Sequence, residues 1–438
     1  MGDGEFGIPG LAGFSGFNAL FLRFHISHMT NFLRSFVCSR ISAVAGFASA
    51  LAVSSSQAAP PSAVPGIVVN HSPASSGLYI GSPSIAILPN GDYVVSHDFF
   101  GPKSQEFERP RTLIFRSSDH GNSWTKLTEV QGAFWSSLFV HRGALYLLGP
   151  NRHHGHIYIR RSNDGGQTWT SPADSLTGII RDEGEYHCAP TPVIEHEGRL
   201  WRAFEKRDPP LGWGSNYCAG MFSVPVDVDL LVATNWVSSN FVHSERGWNG
   251  GDMGGWLEGN AVIDPSGSIL DILRVDTRKF PEKAAIVRIS TDGKTTTFDP
   301  QRGFVAFSGG AKKFAIRFDS RNEMYWTLAN EVPAKVAHSG RPASIRNTLG
   351  LLASQDLTNW MTRCLLLHYP ETAKHGFQYP DWQFDGDDII AAVRTAFDDT
   401  EGGAHNFHDA NFLTFHRWKN FRSLSMSNSV PVGAAPGQ

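Results

Sequence analysis

The octet Ser-Ser-Asp-His-Gly-Asn-Ser-Trp at 117–124 returns as Ser-Asn-Asp-Gly-Gly-Gln-Thr-Trp at 162–169, a match of the form S-x-D-x-G-x-[ST]-W. Each residue type has a task in a tight turn. The carboxylate accepts backbone N–H groups, the glycine takes a conformation that a side chain would obstruct, and the tryptophan anchors the turn in a core. This is a folding signal rather than a catalytic one. Looser versions stand at Ser290–Phe298 and Ser354–Trp360, with plainer strand ends at Trp236 and Phe421. Counting these closures gives about six units of roughly 45–65 residues, the span of radial four-stranded repeats.

The stretch from Phe134 to Trp169 shows one unit whole: strand patterns at Trp135–Val140, Ala144–Leu148 and Ile157–Arg161, a turn at Arg142-Gly143, and a polar loop containing His153, His154 and His156. Short strands of β-branched and aromatic residues, punctuated by Gly and Asn at hairpin spacing, form antiparallel meanders. One meander cannot bury both of its faces, so it needs copies of itself. The fold class is therefore all-β, a β-propeller of four-stranded antiparallel blades from 66 to 422, with six blades counted.

The ends lie outside the repeat. Met29 opens a secretory-signal pattern, with Arg34 and Arg40 ahead of the apolar run Ala43–Val53 and a small-residue cleavage site at Ser56-Gln57-Ala58. On this reading 1–28 is an upstream extension, 29–59 a signal peptide, and the protein is secreted; a tail on a cytosolic protein is the blander alternative. The apolar run is too short to span a bilayer, so no membrane partner is expected. Beyond Ser423 the composition reads as a disordered tail. A net charge of -3 argues against a nucleic-acid partner. Cys38 would leave with the signal, and Cys188, Cys218 and Cys364 remain; a Cys188–Cys218 disulfide fits within one repeat but is not fixed by the sequence. Asn70-His71-Ser72 is a glycosylation acceptor consistent with secretion. The chain is expected to be a monomer.

In a radial meander the start of a first strand and the end of the second share one face, while the turn joining them lies on the other. His141 and His196 fall at such turns and read as surface residues remote from a site. On the opposite face the repeats collect His97 and Asp98; the histidine loop; Tyr186, His187, Arg202 and Glu205; Trp256, Glu258 and Arg274; Lys312, Lys313, Asn330 and Arg346; and Tyr379, Asp381, Trp382, Arg394, His405, His408 and Asp409. Each has a structural alternative: a lone histidine or arginine is most often a bonded framework residue, and buried charges pair with one another. Convergence from several repeats is what singles the set out.

The turn octets and the propeller pattern resemble the sialidase, or Asp-box, superfamily, over roughly Gly77 to Arg422. The resemblance implies an Arg-Ile-Pro triplet early in the first blade, whose arginine begins a carboxylate-clamping triad; this chain has Gly81-Ser82-Pro83 there, which argues against sialic-acid hydrolysis. Tyr186 followed by Arg202, with histidines nearby, is similar to the propeller polysaccharide lyases, among them the ulvan lyases and fungal rhamnose–glucuronate lyases. That resemblance implies Tyr186 as a proton-transfer residue, Arg202 as a carboxylate contact and His154 as a further catalytic residue. It also implies a seventh blade, to which the Ile67-Val68-Val69 strand would contribute, and allows a structural calcium ion in the central channel. No cofactor is required by the sequence.

The expected function is a lyase cleaving a polysaccharide or oligosaccharide at a uronate by β-elimination, which needs a cation on the carboxylate, a base, and an acid for the leaving oxygen. Glycoside hydrolysis by two carboxyl groups is the alternative, kept open by Asp98, Glu258 and Asp381, and a catalytically silent sugar-binding propeller is a third. The candidate catalytic residues are Tyr186, His154 and His97. The candidate substrate contacts are Arg202, His153, His156, Arg274, Glu258, Trp256, Tyr379, Asp381, Arg394, His405 and His408.

Overall fold

The computed structural model describes residues 63–337 and 340–432. Its regular structure is antiparallel strand with short 3-10 turns, and the described residues contain no α-helix. The extension and signal expected at 1–59 lie outside the described residues.

The strands form six sheets. Blade one runs outward through Ser84–Ile87, Tyr93–Phe100, Arg111–Ser117 and Thr125–Gln131, and blade two through Ser137–His141, Ala144–Pro150, Ile157–Ser162 and Ile179–Arg181. Blade three is built on Arg199–Arg207 and Tyr217–Pro225, with Glu185–His187 and Ile194–His196 sharing its inner edge. Trp256–Ile263, Ala315–Asp319 and Gly376–Asp385 are the inner strands of blades four, five and six. The outermost strand of blade six is Ile67–His71, paired with Phe412–Trp418. That strand closes the circle. It completes the sixth blade instead of starting a seventh, because its pairing edge is already spent.

The core lies between blades, not within them. Alternation along a strand sends successive side chains to opposite faces, and a blade has a neighbour on each. Leu145 and Leu147 pack toward blade one, Tyr146 and Leu148 toward blade three. Second strands consequently read as unbroken apolar runs such as Ala144–Leu148, with both faces buried.

Around the axis the inner strands are stitched blade to blade. Ser84 Oγ accepts from Leu138 N at 2.9 Å, Ser137 Oγ donates to Thr191 O at 3.1 Å, and Thr191 Oγ1 donates to Gly259 O at 2.8 Å. Asn260 Oδ1 accepts from Ile316 N at 3.0 Å, Arg317 reaches Asp381 at 3.5 Å, and Asp381 Oδ2 accepts from Ser84 Oγ and Ile85 N at 2.8 and 2.9 Å. The ring of contacts closes on itself.

The turn carboxylates act as their spacing predicts. Asp164 accepts from Gln167 N, Thr168 N, Thr168 Oγ1 and Ser162 Oγ, and Trp169 Nε1 donates to Gly166 O at 3.1 Å. Asp119 and Asp356 repeat the arrangement. At the latter, Leu357 takes the left-handed place of the glycine with φ +65°.

Three expectations change here. The segment beyond Ser423 is docked rather than disordered over its described part: Leu424 packs into the core between blades five and six, and Val430 N donates to Leu365 O at 2.9 Å. Cys188, Cys218 and Cys364 are free buried thiols, so Cys188 and Cys218 are not joined. His141 is buried, with Nε2 2.9 Å from Val226 O, not a surface residue.

Candidate functional site

Two inner strands break register at the same place near their starts, between Leu257 and Asn260 in blade four and between Gln378 and Asp381 in blade six. Inside these bulges Glu258 and Tyr379 have φ +61° and +52°, a region uncommon for side-chain-bearing residues. A bulge removes one side chain from the strand's alternation and aims it elsewhere, here toward the face where the inner strands begin. The following residues permit it. A Cβ on Gly259 would meet Asp271 Oδ1 at 2.2 Å, and Pro380 lacks the N–H that a bulge leaves unpaired.

Each left-handed residue costs roughly 1–3 kcal/mol, and adjoining blades hold it in place. Glu205 Oε1 accepts from Gly259 N at 2.9 Å, and Lys313 Nζ donates to Pro380 O at 2.5 Å. Trp135, φ +49°, opens blade two in the same way, its N–H donated to Asp98 Oδ2 at 2.5 Å while Asp98 Oδ1 accepts from Ser82 N at 2.8 Å. Asp98 and Glu205 are therefore braces from one blade to the left-handed opening of the next, at Trp135 and at the Glu258 bulge.

The bulges bring Glu258 and Tyr379 together. The Tyr379 hydroxyl donates to Glu258 Oε1 at 2.7 Å, and Arg274 Nη1 lies 3.1 and 3.0 Å from the two oxygens of the same carboxylate and 3.4 Å from the phenol. Two more guanidiniums stand over the Tyr379 ring, Arg394 at 4.9 Å and Arg346 at 5.7 Å from its centre. Arg394 is tied to His408 O, and Arg346 to Gln378 Oε1 and Ala343 O. Three cations thus face one carboxylate. The Nε atoms of Arg274 and Arg394 are buried without a hydrogen-bond partner, an arrangement that costs free energy until an acceptor arrives.

The electrostatics follow from this crowding. Burial raises the Glu258 carboxyl, but Arg274, His187 and the hydrogen bonds from Tyr379 and Arg274 outweigh it and hold the group below its usual range. Burial first, and then the Glu258 charge, pushes the Tyr379 phenol up. Burial, with Arg274 and Arg394 nearby, brings Arg346 down to about 10.

A second wall continues from Arg274. Trp213, half-exposed, lies under the Arg274 guanidinium at 5.8 Å and meets the edge of His187 at 6.4 Å. The buried His187 ring stacks on Tyr217 at 4.4 Å, and its Nδ1 is 2.7 Å from Glu205 Oε2, which fixes the ring's orientation. His154 Nε2 is 2.7 Å from the Tyr217 hydroxyl; burial and the neighbouring histidines press this imidazole down to about 2, so it stays neutral. Trp135 packs against His153, His154 and His187.

The structure thus brings together Glu258, Arg274, Tyr379 and Arg394 among the sequence candidates, with His153 and His154 along the adjoining wall. His408 and His405 stand at the rim, both bonded to Asp409, His405 stacked on Tyr79 at 5.5 Å. His156 is set apart, its Nδ1 3.0 Å from Gly184 O.

Five further candidates are not brought there. His97 is fully buried between Phe99 and Phe115, its ring nitrogens against Asn70 and the Asp98 carbonyl. Trp256 is fully buried blade packing with Nε1 on Tyr217 O at 3.0 Å. Asp381 belongs to the axial ring. Tyr186 and Arg202 are not partners: Tyr186 pairs with Lys206, four residues past Arg202 and so roughly 13 Å along the strand. Its ring sits in the apolar layer with Phe222 and Phe241, while Arg202 is wholly enclosed by Ser137, Thr191, Ala189 and Ala203. The hairpin returns the chain beside Tyr186, but four residues further on than the pairing assumed.

Arg346, His187 and Glu205 lie at the blade positions singled out by the repeat, yet only the bulges reveal their role. Trp213 and Trp135 carry no sequence signal beyond being aromatics near Gly, Pro or Ser. The Asp381 carboxylate on the axis is already taken by Ser84, Ile85 and Arg317. A cavity of about 1110 Å³ opens at the other end of the inner strands, lined by His196, Asp264, Phe318 and Glu323 among others, and contains none of the Tyr379 cluster.

Fold and site define a six-bladed β-propeller with three arginines clustered about Tyr379 and Glu258 near the start of its inner strands, and solved arabinanases and sialidases share the fold. A Penicillium chrysogenum α-L-arabinanase complexed with arabinobiose superposes with a TM-score of 0.51 at 13% identity, over 83% of this chain and 100% of that one. The Hadza microbial sialidase Hz136 gives 0.56 at 13%, over 82% and 69%, and the Trypanosoma rangeli sialidase in complex with sialic acid 0.51 at 13%, over 78% and 54%. These likenesses show the fold. No protein-family model and no curated protein matches the chain. The six blades depart from the seven of the propeller lyases.

Proposed function

We propose that this chain is a glycoside hydrolase that removes an acidic sugar, with Tyr379 as nucleophile, Glu258 as its base and Arg274, Arg346 and Arg394 as the seat of the sugar carboxylate. The observation that carries this reading is the set of three guanidiniums around one phenol–carboxylate pair, two with a buried, unpartnered Nε. A carboxylate is the planar anion that such forked donors fit. The arginine missing at Gly81 could not have stood there, since a Cβ would lie 1.6 Å from Asp98 Oδ1; Arg394 of blade six supplies the third cation instead.

In the proposed sequence the arginines hold the sugar, Glu258 accepts the Tyr379 proton, and the phenolate forms a bond to the anomeric carbon as the glycosidic bond breaks. The leaving oxygen takes a proton from His187, which Glu205 orients. Water then attacks the tyrosyl-linked sugar, returning one proton to His187 and leaving the phenol to be reprotonated from Glu258. A tyrosine nucleophile is the variation on paired carboxylates that suits an anionic sugar. Each step uses the chain's own side chains, and secretion as a monomer acting on oligosaccharide or polysaccharide ends is part of the same proposal.

The same arginines would also serve β-elimination at a uronate, with the Tyr379 phenolate removing the proton beside the carboxylate. Incubation with oligosaccharides ending in uronic or ulosonic acids separates the two. Free acidic sugar without ultraviolet absorbance supports hydrolysis, and an absorbing unsaturated uronate means lyase. No turnover of any acidic sugar, with binding intact, leaves the sugar-binding propeller.

A further inference from the structure

We propose that Asp208, Cys218 and His243 form a site for a divalent transition-metal ion of the zinc class, set at the foot of the loop that carries Trp213. Arg207 pairs with Tyr217 at the open end of the blade-three hairpin; Asp208 lies one step beyond that pair, Cys218 one step inside it opposite Lys206, and Cys218 also pairs with His243 on the edge strand Val242–His243. Their ligating atoms all lie within 4.8 Å of one another. His243 Nε2 is already 2.7 Å from Asp208 Oδ2.

The donor set is one thiolate sulfur, one imidazole nitrogen and one carboxylate oxygen, which selects zinc and its neighbours over calcium or magnesium. In tetrahedral zinc sites with bonds of about 2.0–2.3 Å, donors stand roughly 3.3–3.8 Å apart. Cys218 is buried, whereas Asp208 is exposed and His243 partly so, and these two have the freedom to open their 2.7 Å contact to that spacing while they close on the sulfur. The solvent side leaves the fourth position to water. Binding converts the Cys218 thiol to thiolate and releases its proton to solvent.

The position gives the ion a task. Residues 209–216 form the loop whose Trp213 lies against Arg274 and His187, and a metal joining 208 to 218 and 243 would staple both ends of that loop. The staple stands apart from the Tyr379 reaction and does not rest on it.

The test is titration of the chelator-treated full chain with cobalt(II), followed by zinc competition. The expected result is a sulfur-to-cobalt charge-transfer absorbance that saturates at one ion per chain, is displaced by zinc and is absent in Cys218→Ser. His243→Ala and Asp208→Asn should weaken binding by about 10-fold or more, at least the loss seen when a metal site's outer partner is removed. Circular dichroism checks that each variant is folded, and Asp208→Asn, at an exposed position, keeps the test open if Cys218→Ser does not fold. No charge-transfer absorbance in the folded wild type, an unchanged band in Cys218→Ser, or unchanged affinity in folded Asp208→Asn would overturn the proposal.

Discussion

The Tyr379 hydroxyl in blade six donates to Glu258 Oε1 in blade four at 2.7 Å, joining two residues 121 positions apart. Both sit in left-handed bulges, so the contact depends on two local departures from strand geometry as well as on closure of the propeller. Arg274 pairs with the carboxylate, and Arg346 and Arg394 stand over the phenol ring.

Tyr379→Phe removes only the hydroxyl. Arg274 still pairs with Glu258, so the variant should fold, melt close to wild type and bind an acidic sugar, while kcat falls by at least about 10²-fold. Steady-state kinetics beside a melting curve measures both. Normal turnover would remove Tyr379 from the chemistry.

Arg394→Met keeps the packing volume over Tyr379 and removes one cation. A charge-assisted hydrogen bond is worth about 1.5–3 kcal/mol, so affinity for a carboxylate-bearing sugar should fall about 10- to 100-fold, with no loss for its uncharged ester. Calorimetric titration of the acid and the ester distinguishes a carboxylate seat from a general sugar contact.

Asp164 makes a prediction about pH. Burial would raise its carboxyl, but hydrogen bonds from Thr168, Ser162 and Gln167 hold it down to about 2. A depressed folded-state value means the stabilisation is present above the ordinary carboxylate range, near pH 3.9, and is lost as pH falls through about 2. Asp164→Asn should therefore lower Tm at neutral pH and flatten the fall of Tm between about pH 4 and 2. Scanning calorimetry across that window gives the answer; a slope equal to wild type would show that the turn carboxylate does not contribute.

Tyr186→Phe and Arg202→Met separate framework from chemistry. The Tyr186 ring lies in an apolar layer, so kcat and KM should stay at wild-type values. Arg202→Met leaves Ser137, Thr191 and two carbonyls without their buried donor and should cost at least about 2 kcal/mol of stability, read by urea denaturation. Loss of turnover in a stable Tyr186→Phe protein would restore the tyrosine to the site.

Much of the site was visible as a list of positions and invisible as an arrangement. Arg274, Arg394 and Asn330 end second strands, as the repeat places them, but so do His97 and Glu205, and nothing in the spacing says which of these face the mouth. Alternation decides it: His97 points between blades while Asp98 points to the left-handed Trp135 of the next blade. Tyr186 and Tyr379 both lie near first-strand starts, and only Tyr379 lies in a bulge, an event that depends on Pro380 and on Lys313 from another blade.

By itself the sequence determined the all-β class, the repeat, the count of six and the role of the turn carboxylates, because these rest on local periods and turn chemistry that each unit carries within about 45–65 residues. The tertiary structure decided which blade receives Ile67–His71, that Asp98, Glu205 and Asp381 brace the frame, and that Glu258, Tyr379 and three arginines meet in one cluster. Those outcomes are long-range: they depend on register, on bulges and on which neighbour satisfies each buried polar group, and none is a property of one segment alone.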